Sequence, residues 1–275
     1  MNQSVPIVSV LMTSHNREKY IAESIESVLK STLINFELII VDDCSNDSTL
    51  EISKFYEKKD SRIKVYQNEK NLGDYPNRNK AASYATGKYI KYLDSDDIMY
   101  PHCLEVMVSS MEKYPNAAFG LSSIGNEFSP YPICISPRDA YKQHFYGFGH
   151  FNRAPGSAII KKEIFEKEKG FHVPKYAGDM ELWFRLAQHY DLVLFTRDLI
   201  WDRCHSQTQS NLERKDKKII AFRQGLIYNM LTSTSCPLSN SESLEIRTRI
   251  KKNLIKNKIR KWLHFLTRKN IGMIG

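Results

Sequence analysis

Two aspartates stand one residue apart in the run Asp94-Ser95-Asp96-Asp97, directly after a short apolar segment. Carboxylates with this spacing at the end of a strand can point toward one cation, and their hard oxygen atoms suit Mg²⁺ or Mn²⁺. These ions keep open positions for phosphate oxygens, so a phosphorylated ligand is expected beside them. The alternative is an ordinary turn in which Asp97 caps the helix that contains Pro101.

A second acidic pair, Asp42-Asp43, ends another apolar segment and is followed by Cys44-Ser45. A carboxylate can accept the N3–H proton of uracil or thymine, which cytosine lacks, so this pair favours a uridine or thymidine nucleotide. The alternative is a structural turn, because Asp, Asn and Ser are frequent where strands lead into helices. Farther along, Arg78 follows Asn71-Leu72-Gly73, and its planar guanidinium can brace a base or a phosphate, or remain a solvated surface group.

Two later residues complete the chemistry that a nucleotide-sugar reaction requires. Asp179 begins the amphipathic segment Asp179–Tyr190, where it can act as a general base toward an acceptor hydroxyl or as a helix cap. Asp179 and Glu181 lie two residues apart and point in different directions on a helix, so only one is expected to face a site. His205 can ligate the cation or contact a diphosphate as a neutral imidazole, or lie on the surface.

Strand-like and helix-like segments alternate through the first 120 residues. The predicted strands are Ile7–Met12, Phe36–Val41, Ile63–Gln67 and Tyr89–Leu93, and the predicted helices are Glu18–Lys30, Ser48–Lys58, Pro76–Ala85 and Pro101–Tyr114. This alternation predicts a parallel sheet with right-handed crossovers, in which ligands bind beyond the carboxyl ends of the strands. The polar segments 13–16, 42–45, 68–78 and 94–97 each follow a predicted strand, so we expect them at one edge of the sheet.

The pattern changes after residue 121. Residues 122–156, rich in proline and aromatic residues, are expected to be irregular with one short helix, and Tyr141–Phe151 can serve as an acceptor platform or as core. The later predicted elements are the strand Ser157–Ile160, the helices Lys162–Glu168 and Asp179–Tyr190, and the strands Asp191–Thr196 and Leu199–Arg203. From about residue 211 the chain is predicted to be helical to its end.

Charge is concentrated in the last 34 residues. Residues 242–275 hold ten Lys or Arg and two Glu, whereas the preceding 241 residues are almost balanced, within a net charge of +9. The predicted basic helix 242–269 either packs on the rest of the protein or lies on an anionic membrane, with membrane proximity favoured. Five cysteines without C-x-x-C spacing argue against a disulfide framework or structural zinc, and no apolar run is long enough to span a membrane. We expect a cytoplasmic protein.

The order of these motifs resembles family 2 glycosyltransferases of the GT-A fold. The resemblance covers residues 5–210. Its motifs are Thr13-Ser14-His15-Asn16 after the first strand, Val41-Asp42-Asp43-Cys44-Ser45 after the second, Asn71-Leu72-Gly73 with Arg78-Asn79, Leu93-Asp94-Ser95-Asp96-Asp97, Asp179 with Leu182-Trp183 and Arg185, and His205-Ser206-Gln207. One departure concerns residue 178, which is Gly where the family often has Glu, and this puts a helper contact beside the base in doubt.

The resemblance implies a role for each candidate residue. The nucleotide would be bound by Thr13, Asn16, Asp42, Asp43, Arg78 and Asp94, with Thr13 and Asp43 at the base. Asp96 would be the main ligand of Mn²⁺ or Mg²⁺, assisted by Asp94 and His205, which leaves Asp97 as a cap. Asp179 would be the general base, and a single base implies inversion at the sugar carbon.

These implications predict an α/β protein with a Rossmann-like, mixed but mostly parallel sheet flanked by helices and a C-terminal helical extension. Residues 1–210 would form the catalytic domain, divided into a nucleotide-binding half (1–120) and an acceptor half (121–210), and 211–275 the extension. The expected function is inverting transfer of a hexosyl or N-acetylhexosaminyl group from a UDP-sugar to a glycan or lipid-linked acceptor in bacterial polysaccharide synthesis, at the inner face of the cell membrane and without nucleic acid. The alternatives are a sugar-nucleotide nucleotidyltransferase, disfavoured because Thr13–Lys19 lacks glycine, and a non-catalytic nucleotide-binding protein.

Overall fold

The structure of the protein is a computed structural model that describes residues 5–123, 130–147, 149–173, 175–204, 216–253 and 256. The strands are β1 (Val8–Ser14), β2 (Phe36–Asp42), β3 (Ile63–Gln67), β4 (Tyr89–Tyr92), β5 (Ile98–Met99), β6 (Phe119–Ser122), β7 (Ile133–Ile135), β8 (Ala158–Lys161), β9 (Leu192–Phe195) and β10 (Ile200–Trp201). The helices are α1 (Ile21–Leu29), α2 (Thr49–Lys59), α3 (Asp74–Ser83), α4 (Cys103–Lys113), α5 (Pro137–Tyr146), α6 (Lys162–Lys167), α7 (Gly178–Leu186), α8 (Lys217–Thr232) and α9 (240–253).

The main sheet has the order β3-β2-β1-β4-β8-β6-β9-β7. The four strands predicted from the first 120 residues are parallel to one another, and β6 is parallel to β9, whereas β8 and β7 pair antiparallel with their neighbours. The register places Ser14 beside Asp42 and Asp42 beside Gln67, so the carboxyl ends of β1, β2 and β3 are level. The predicted α/β class with a mixed, mostly parallel sheet is confirmed.

Three short strands were not predicted, namely β5, β6 and β7. Each has two to four residues, too few for a hydrophobic period to show in the sequence. In the sequence, Gly120 of β6 indicates a loop. The structure instead requires glycine in this strand, because a Cβ atom would lie 2.7 Å from the Phe195 ring. In the described part of segment 122–156 the structure has β7 and the α-helix α5, followed by a 3-10 turn that starts at Pro155.

Side chains from opposite faces of the sheet form two separate cores. On one face α1 and α4 contribute Ile25, Val28 and Met107 to a core under β1 and β2. On the other face α3, α5 and α7 pack together, and Trp183 of α7 is fully buried. This second core holds α7, the helix of the candidate base Asp179, against α3. Helix α3 begins beside the carboxyl end of β2.

Three aromatic rings of the segment Tyr141–Phe151 pack as core. Tyr141, Phe151 and His144 are buried, and all three rings contact Phe184 of α7. The Tyr141 hydroxyl donates to the Phe184 carbonyl at 3.0 Å. The alternative of an acceptor platform therefore does not hold for these three residues.

The helices α8 and α9 pack against the core that contains α5 and α7. Leu231, Leu238 and Ile246 are buried in the same core as α7, and Glu242 pairs with Arg138 of α5 at 2.7 Å. Leu244 is exposed. In its described part the basic tail thus follows the packing alternative, and residues 254–255 and 257–269 of the predicted helix lie outside the described residues. None of the described helices combines the length and apolar character that a membrane span needs.

Candidate functional site

The loops after β1 and β2 are tied to each other at the predicted edge of the sheet. The Asn16 amide donates to Ser45 Oγ, and the Asn46 amide donates to Asn16 Oδ1, both at 2.9 Å. Asn16 and Cys44 have left-handed φ angles of 53° and 63°, which turn the chain sharply after each strand. Thr13 is half-buried in the last part of β1. The structure therefore brings Thr13, Asn16 and the acidic pair together, while their contact with a nucleotide stays a prediction.

Asp42 holds the turn that follows β2. Its side chain is fully buried and accepts from the Ser45 amide at 2.9 Å and from Ser45 Oγ at 2.5 Å, with Ser14 Oγ at 3.4 Å. A buried carboxylate requires such donors because burial without hydrogen bonds is costly. What the structure shows for Asp42 is this turn-holding role, and its predicted contact with a nucleotide stays a prediction.

Asp43 connects the same edge to the start of α3. Its Oδ1 accepts from the Leu72 amide and from Asn68 Nδ2, both at 2.8 Å, and its Oδ2 accepts from the Gly73 amide at 2.9 Å. Gly73 has φ 85°, which a side chain disfavours, so glycine is suited to this loop–helix junction. The carboxylate thus fixes where α3 begins.

Arg78 of α3 is buried rather than solvated on the surface. It lies in the acidic edge, which comprises Asp74 and the acidic turn Asp94–Asp97. Its Nε donates to Asp74 and its Nη2 to Asp94, each at 2.7 Å. Burial disfavours the charged guanidinium, but the carboxylates of Asp74 and Asp94 outweigh it and raise the pKa of Arg78. Nη1 is buried and has no hydrogen-bond partner among the described residues, so it is a donor suited to a ligand oxygen.

The remaining two aspartates of the acidic turn make different contacts. Asp96 lies 3.2 Å from Nε of Arg17, and its carbonyl accepts from Nε of Arg203 at 2.8 Å. Asp97 accepts from the Arg203 amide at 2.9 Å. The prediction that Asp97 caps the next helix is wrong, because α4 starts at Cys103, and Asp97 instead binds the chain that leaves β10.

The acidic edge contains more negative charge than the sequence motif indicates. Burial, followed by the charges of Asp94, Asp96 and Asp202, raises the pKa of Asp97 to about 7, with the Arg203 amide opposing the shift. Such crowding of carboxylate oxygens fits a hard divalent cation, for which Asp96 and Asp94 stay the predicted ligands. In the part of the chain that the structure describes, no three His, Cys, Asp or Glu residues are already arranged around a cation position. The third predicted ligand, His205, lies outside the described residues.

Three charged residues near this edge were missed by the sequence reasoning. Lys91 in β4 is fully buried, and its Nζ donates to the Tyr92 carbonyl at 2.6 Å and the Gly156 carbonyl at 2.5 Å. Burial lowers the pKa of Lys91, and Cys103 and the nearby aspartates oppose the shift. Asp202 and Arg153 also face this region, since each shifts the pKa of the other. Of these three residues, only Lys91 could have been identified from the sequence, because a lysine is unusual inside an apolar segment such as Tyr89–Leu93.

Asp179 lies near the start of α7, beside α3. Its Oδ1 accepts from the Met180 amide at 2.7 Å and from the Tyr75 hydroxyl at 3.2 Å. Burial raises the pKa of Asp179, while the Met180 amide and the charge of Arg223 oppose the shift. Glu181 turns away and pairs with Arg185 at 2.8 Å, so only Asp179 of the two acids faces α3, as predicted.

Several known proteins are similar in sequence to this chain. The sequence model of the family described as "Glycosyl transferase family 2" matches residues 9–168. An uncharacterized glycosyltransferase of Methanocaldococcus jannaschii, MJ1057, is 33% identical over 79% of this chain and 77% of its own. The Escherichia coli UDP-Glc:alpha-D-GlcNAc-diphosphoundecaprenol beta-1,3-glucosyltransferase WfgD is 47% identical over 39% of this chain and 42% of its own.

Solved structures share the fold at low sequence identity. Staphylococcus aureus TarS 1–349 in complex with UDP-GlcNAc superimposes with a TM-score of 0.64 at 20% identity, covering 87% of this chain and 70% of that one. The Pyrobaculum calidifontis mannosyltransferase PcManGT with GDP-Man and Mn²⁺ has a TM-score of 0.60 at 15% identity, with 94% and 83% covered. The resemblance drawn from the sequence motifs, including the GT-A fold, is confirmed.

We expect Asp43→Asn to destabilise the protein even without a ligand. The new NH₂ group would face a backbone amide that now donates to the carboxylate, which leaves buried polar groups unpaired at a cost of about 2–4 kcal/mol. Chemical denaturation of the apoprotein measures this loss, with Glu69→Gln on the neighbouring exposed loop as the matched control. Equal stability of Asp43→Asn and wild type would contradict the anchoring role of Asp43.

Proposed function

We propose that this chain, which belongs to glycosyl transferase family 2, transfers a hexosyl or N-acetylhexosaminyl group from a UDP-sugar to an acceptor hydroxyl with inversion at the sugar carbon. The chain is a glycosyltransferase, and the proposal concerns its donor, metal, base and acceptor. The proposal rests on one observation, which is that helix α3 contacts both the acidic turn and the candidate base. Arg78 of α3 binds Asp94 of the acidic turn, and Tyr75 of α3 binds the candidate base Asp179.

The donor would lie along the carboxyl ends of β1, β2 and β4. In this proposal Thr13, Asn16, Asp42 and Asp43 surround the base, with the carboxylates favouring uracil, and Arg78 directs its unpartnered Nη1 toward the diphosphate. Support comes from WfgD, whose name describes transfer from UDP-Glc, and from TarS, which was solved with UDP-GlcNAc. PcManGT was solved with GDP-Man, so the fold alone does not select the base.

The metal would be held by Asp96 and Asp94, with His205 as a third ligand. A bound Mn²⁺ or Mg²⁺ supplies stabilisation of the negative charge that develops on the departing nucleoside diphosphate. Support for this assignment comes from the crowded carboxylates of the acidic turn and from the Mn²⁺ of PcManGT. Arg17 and Arg78 neutralise the two carboxylates in the structure and are close enough to share the diphosphate charge.

The base would be Asp179. Its Oδ1 is occupied by two donors, so Oδ2 is the oxygen that takes the proton of the acceptor hydroxyl. The acceptor oxygen then bonds to the anomeric carbon from the face opposite the diphosphate, and the bond between that carbon and the diphosphate oxygen breaks. Burial keeps the pKa of Asp179 above that of a solvated aspartate, which makes its carboxylate a better proton acceptor.

The setting would be synthesis of a surface polysaccharide from a glycan or lipid-linked acceptor at the inner face of the membrane. The name of WfgD describes an acceptor with a diphosphoundecaprenol anchor. The basic residues of 242–269 would bring the protein to the anionic surface where such acceptors reside. The division of the chain into halves at 120 and 210 stays a prediction.

Asp96→Ala should lower the rate of Mn²⁺-dependent UDP-sugar turnover by about a hundredfold or more, because it removes the main ligand of the charge-stabilising cation. Release of UDP from UDP-Glc and UDP-GlcNAc, titrated with MnCl₂, measures both the rate and the metal requirement. Glu69→Ala removes an exposed carboxylate and should retain wild-type rates. Equal turnover by Asp96→Ala and wild type would rule out the metal role.

Asp179→Asn should reduce transfer by about a hundredfold or more while donor binding persists, since the amide keeps the shape of the side chain but accepts no proton. NMR of the product formed by wild type should show the anomeric configuration opposite to that of the donor. Asp198→Asn, at an exposed position with φ 64° that asparagine tolerates, is the matched control. Retention of configuration would eliminate the single-base mechanism.

Cosedimentation with vesicles tests the membrane proposal. At low ionic strength the protein should bind vesicles that contain about 30% phosphatidylglycerol and release them in high salt, because attraction is about 1 kcal/mol per basic residue and is screened. The test variant replaces four basic tail residues with glutamine, and the control variant replaces four exposed lysines elsewhere. The tail set is Arg260, Lys261, Arg268 and Lys269, and the control set is Lys19, Lys58, Lys70 and Lys113. Equal binding by both variants would contradict a tail-specific contact.

A further inference from the structure

Tyr75 is buried at the junction between the start of α3 and the start of α7. Only 6% of the residue is exposed, and its ring centroid lies 4.9 Å from that of Phe171. Its hydroxyl lies 3.2 Å from Oδ1 of Asp179. Burial and the carboxylates of Asp179 and Asp74 raise the pKa of Tyr75, so the phenol stays protonated and acts as the donor.

Gly178 makes this position of the tyrosine ring possible. A Cβ atom on residue 178 would lie 2.8–2.9 Å from three carbons of the Tyr75 ring, closer than real Cβ contacts allow. Any side chain at residue 178 would therefore displace the ring from its present position. Glycine at 178 and tyrosine at 75 thus form a matched pair.

The contacts of Asp179 are asymmetric. The Tyr75 hydroxyl and the Met180 amide both donate to Oδ1, whereas no described residue donates to Oδ2. Two donors from different helices fix the plane of the carboxylate, because the side chain cannot rotate without breaking at least one of them. Oδ2 is thereby left without a donor among the described residues, so it is the oxygen that can receive a proton.

We propose that Tyr75, permitted by Gly178, is the positioning residue of the base Asp179, and that it aligns the base with the donor edge through α3. The inference rests on the proposed role of Asp179. Tyr75 and Arg78 are three residues apart and share one face of α3. Arg78 binds Asp94 of the acidic turn, and Asp43 fixes the start of the same helix through the Leu72 and Gly73 amides. One rigid helix thus sets the position of Asp179 relative to the donor.

Tyr75→Phe tests the proposal with a change of one hydroxyl group. The expected result is a fall in kcat of about tenfold with little change in the KM of the UDP-sugar, since the change removes one hydrogen bond to Asp179 and leaves the proposed nucleotide-binding residues intact. The hydrogen bond stabilises the charged carboxylate, so its loss raises the pKa of Asp179. The acidic limb of the kcat–pH profile should therefore move to higher pH.

Attributing the pH shift to Tyr75 requires that the other charged groups facing Asp179 keep their positions. They are Arg78 on α3 and Arg223 on α8, both of which lower the pKa of Asp179, while Asp74 faces the phenol of Tyr75. Within α7, Glu181 is paired with Arg185 and turned away. Arg223→Gln provides the comparison, because it shifts the acidic limb in the same direction without freeing Oδ1.

Gly178→Ala tests the same contact between Tyr75 and Asp179 without changing either residue. The added methyl displaces the ring, so this variant should lose about as much kcat as Tyr75→Phe and shift the acidic limb in the same direction. The double variant should be no slower than the slower single variant, because the hydroxyl contact can be lost only once. Thermal unfolding midpoints establish that each variant is folded at the assay temperature.

The outcomes separate the inference from the proposed function. If Asp179→Asn is inactive but Tyr75→Phe keeps the wild-type kcat and pH profile, the positioning role is overturned while the base remains. If kcat falls and the acidic limb does not move, Tyr75 is only structural and the proposal is also overturned. If Asp179→Asn retains activity, the base assignment itself fails.

Discussion

The carboxylate of Asp43 is the contact on which the arrangement of the site depends. It lies at the carboxyl end of β2 and accepts hydrogen bonds from the Leu72 and Gly73 amides and from the Asn68 side chain. A carboxylate at a helix start also interacts favourably with the helix dipole. Because α3 starts at this carboxylate, the positions of Tyr75 and Arg78 follow from it. The sheet edge thereby determines the distance between the acidic turn and the candidate base.

The acidic edge is balanced by basic side chains drawn from several elements. Arg78 comes from α3 and Arg17 from the loop before α1, while Arg203 leaves β10 and binds the backbone of the acidic turn. Below them Lys91 is buried in β4 with two carbonyl partners. Aspartates gathered in one place repel one another, and cationic neighbours reduce this cost.

The sequence allowed the location of the site to be predicted, but not the contacts that hold it. Alternating strands and helices placed Thr13, Asp43 and Asp94 at one edge, because parallel strands end together and the rule for ligand position is general. The partners of these residues depend on side-chain directions that periodicity does not encode. Arg78 therefore looked like a surface residue, and Asp97 looked like a cap because a helix follows it at a plausible distance. Tyr75 carried no signal, since its function depends on a glycine 103 positions later.

The C-terminal helices α8 and α9 pack against the helix that bears Asp179, which their basic composition does not indicate. A boundary near residue 210 follows from the change to helical and basic sequence, yet Leu231 and Ile246 enter the core that contains α7. Arg223 of α8 is near enough to Asp179 for its charge to oppose the rise in the pKa of that carboxyl. A helix that buries apolar side chains against α7 restrains the angle of that helix on the sheet. Asp179, the candidate base, is thus held from two directions, by α3 through a hydrogen bond and by α8 through packing and charge.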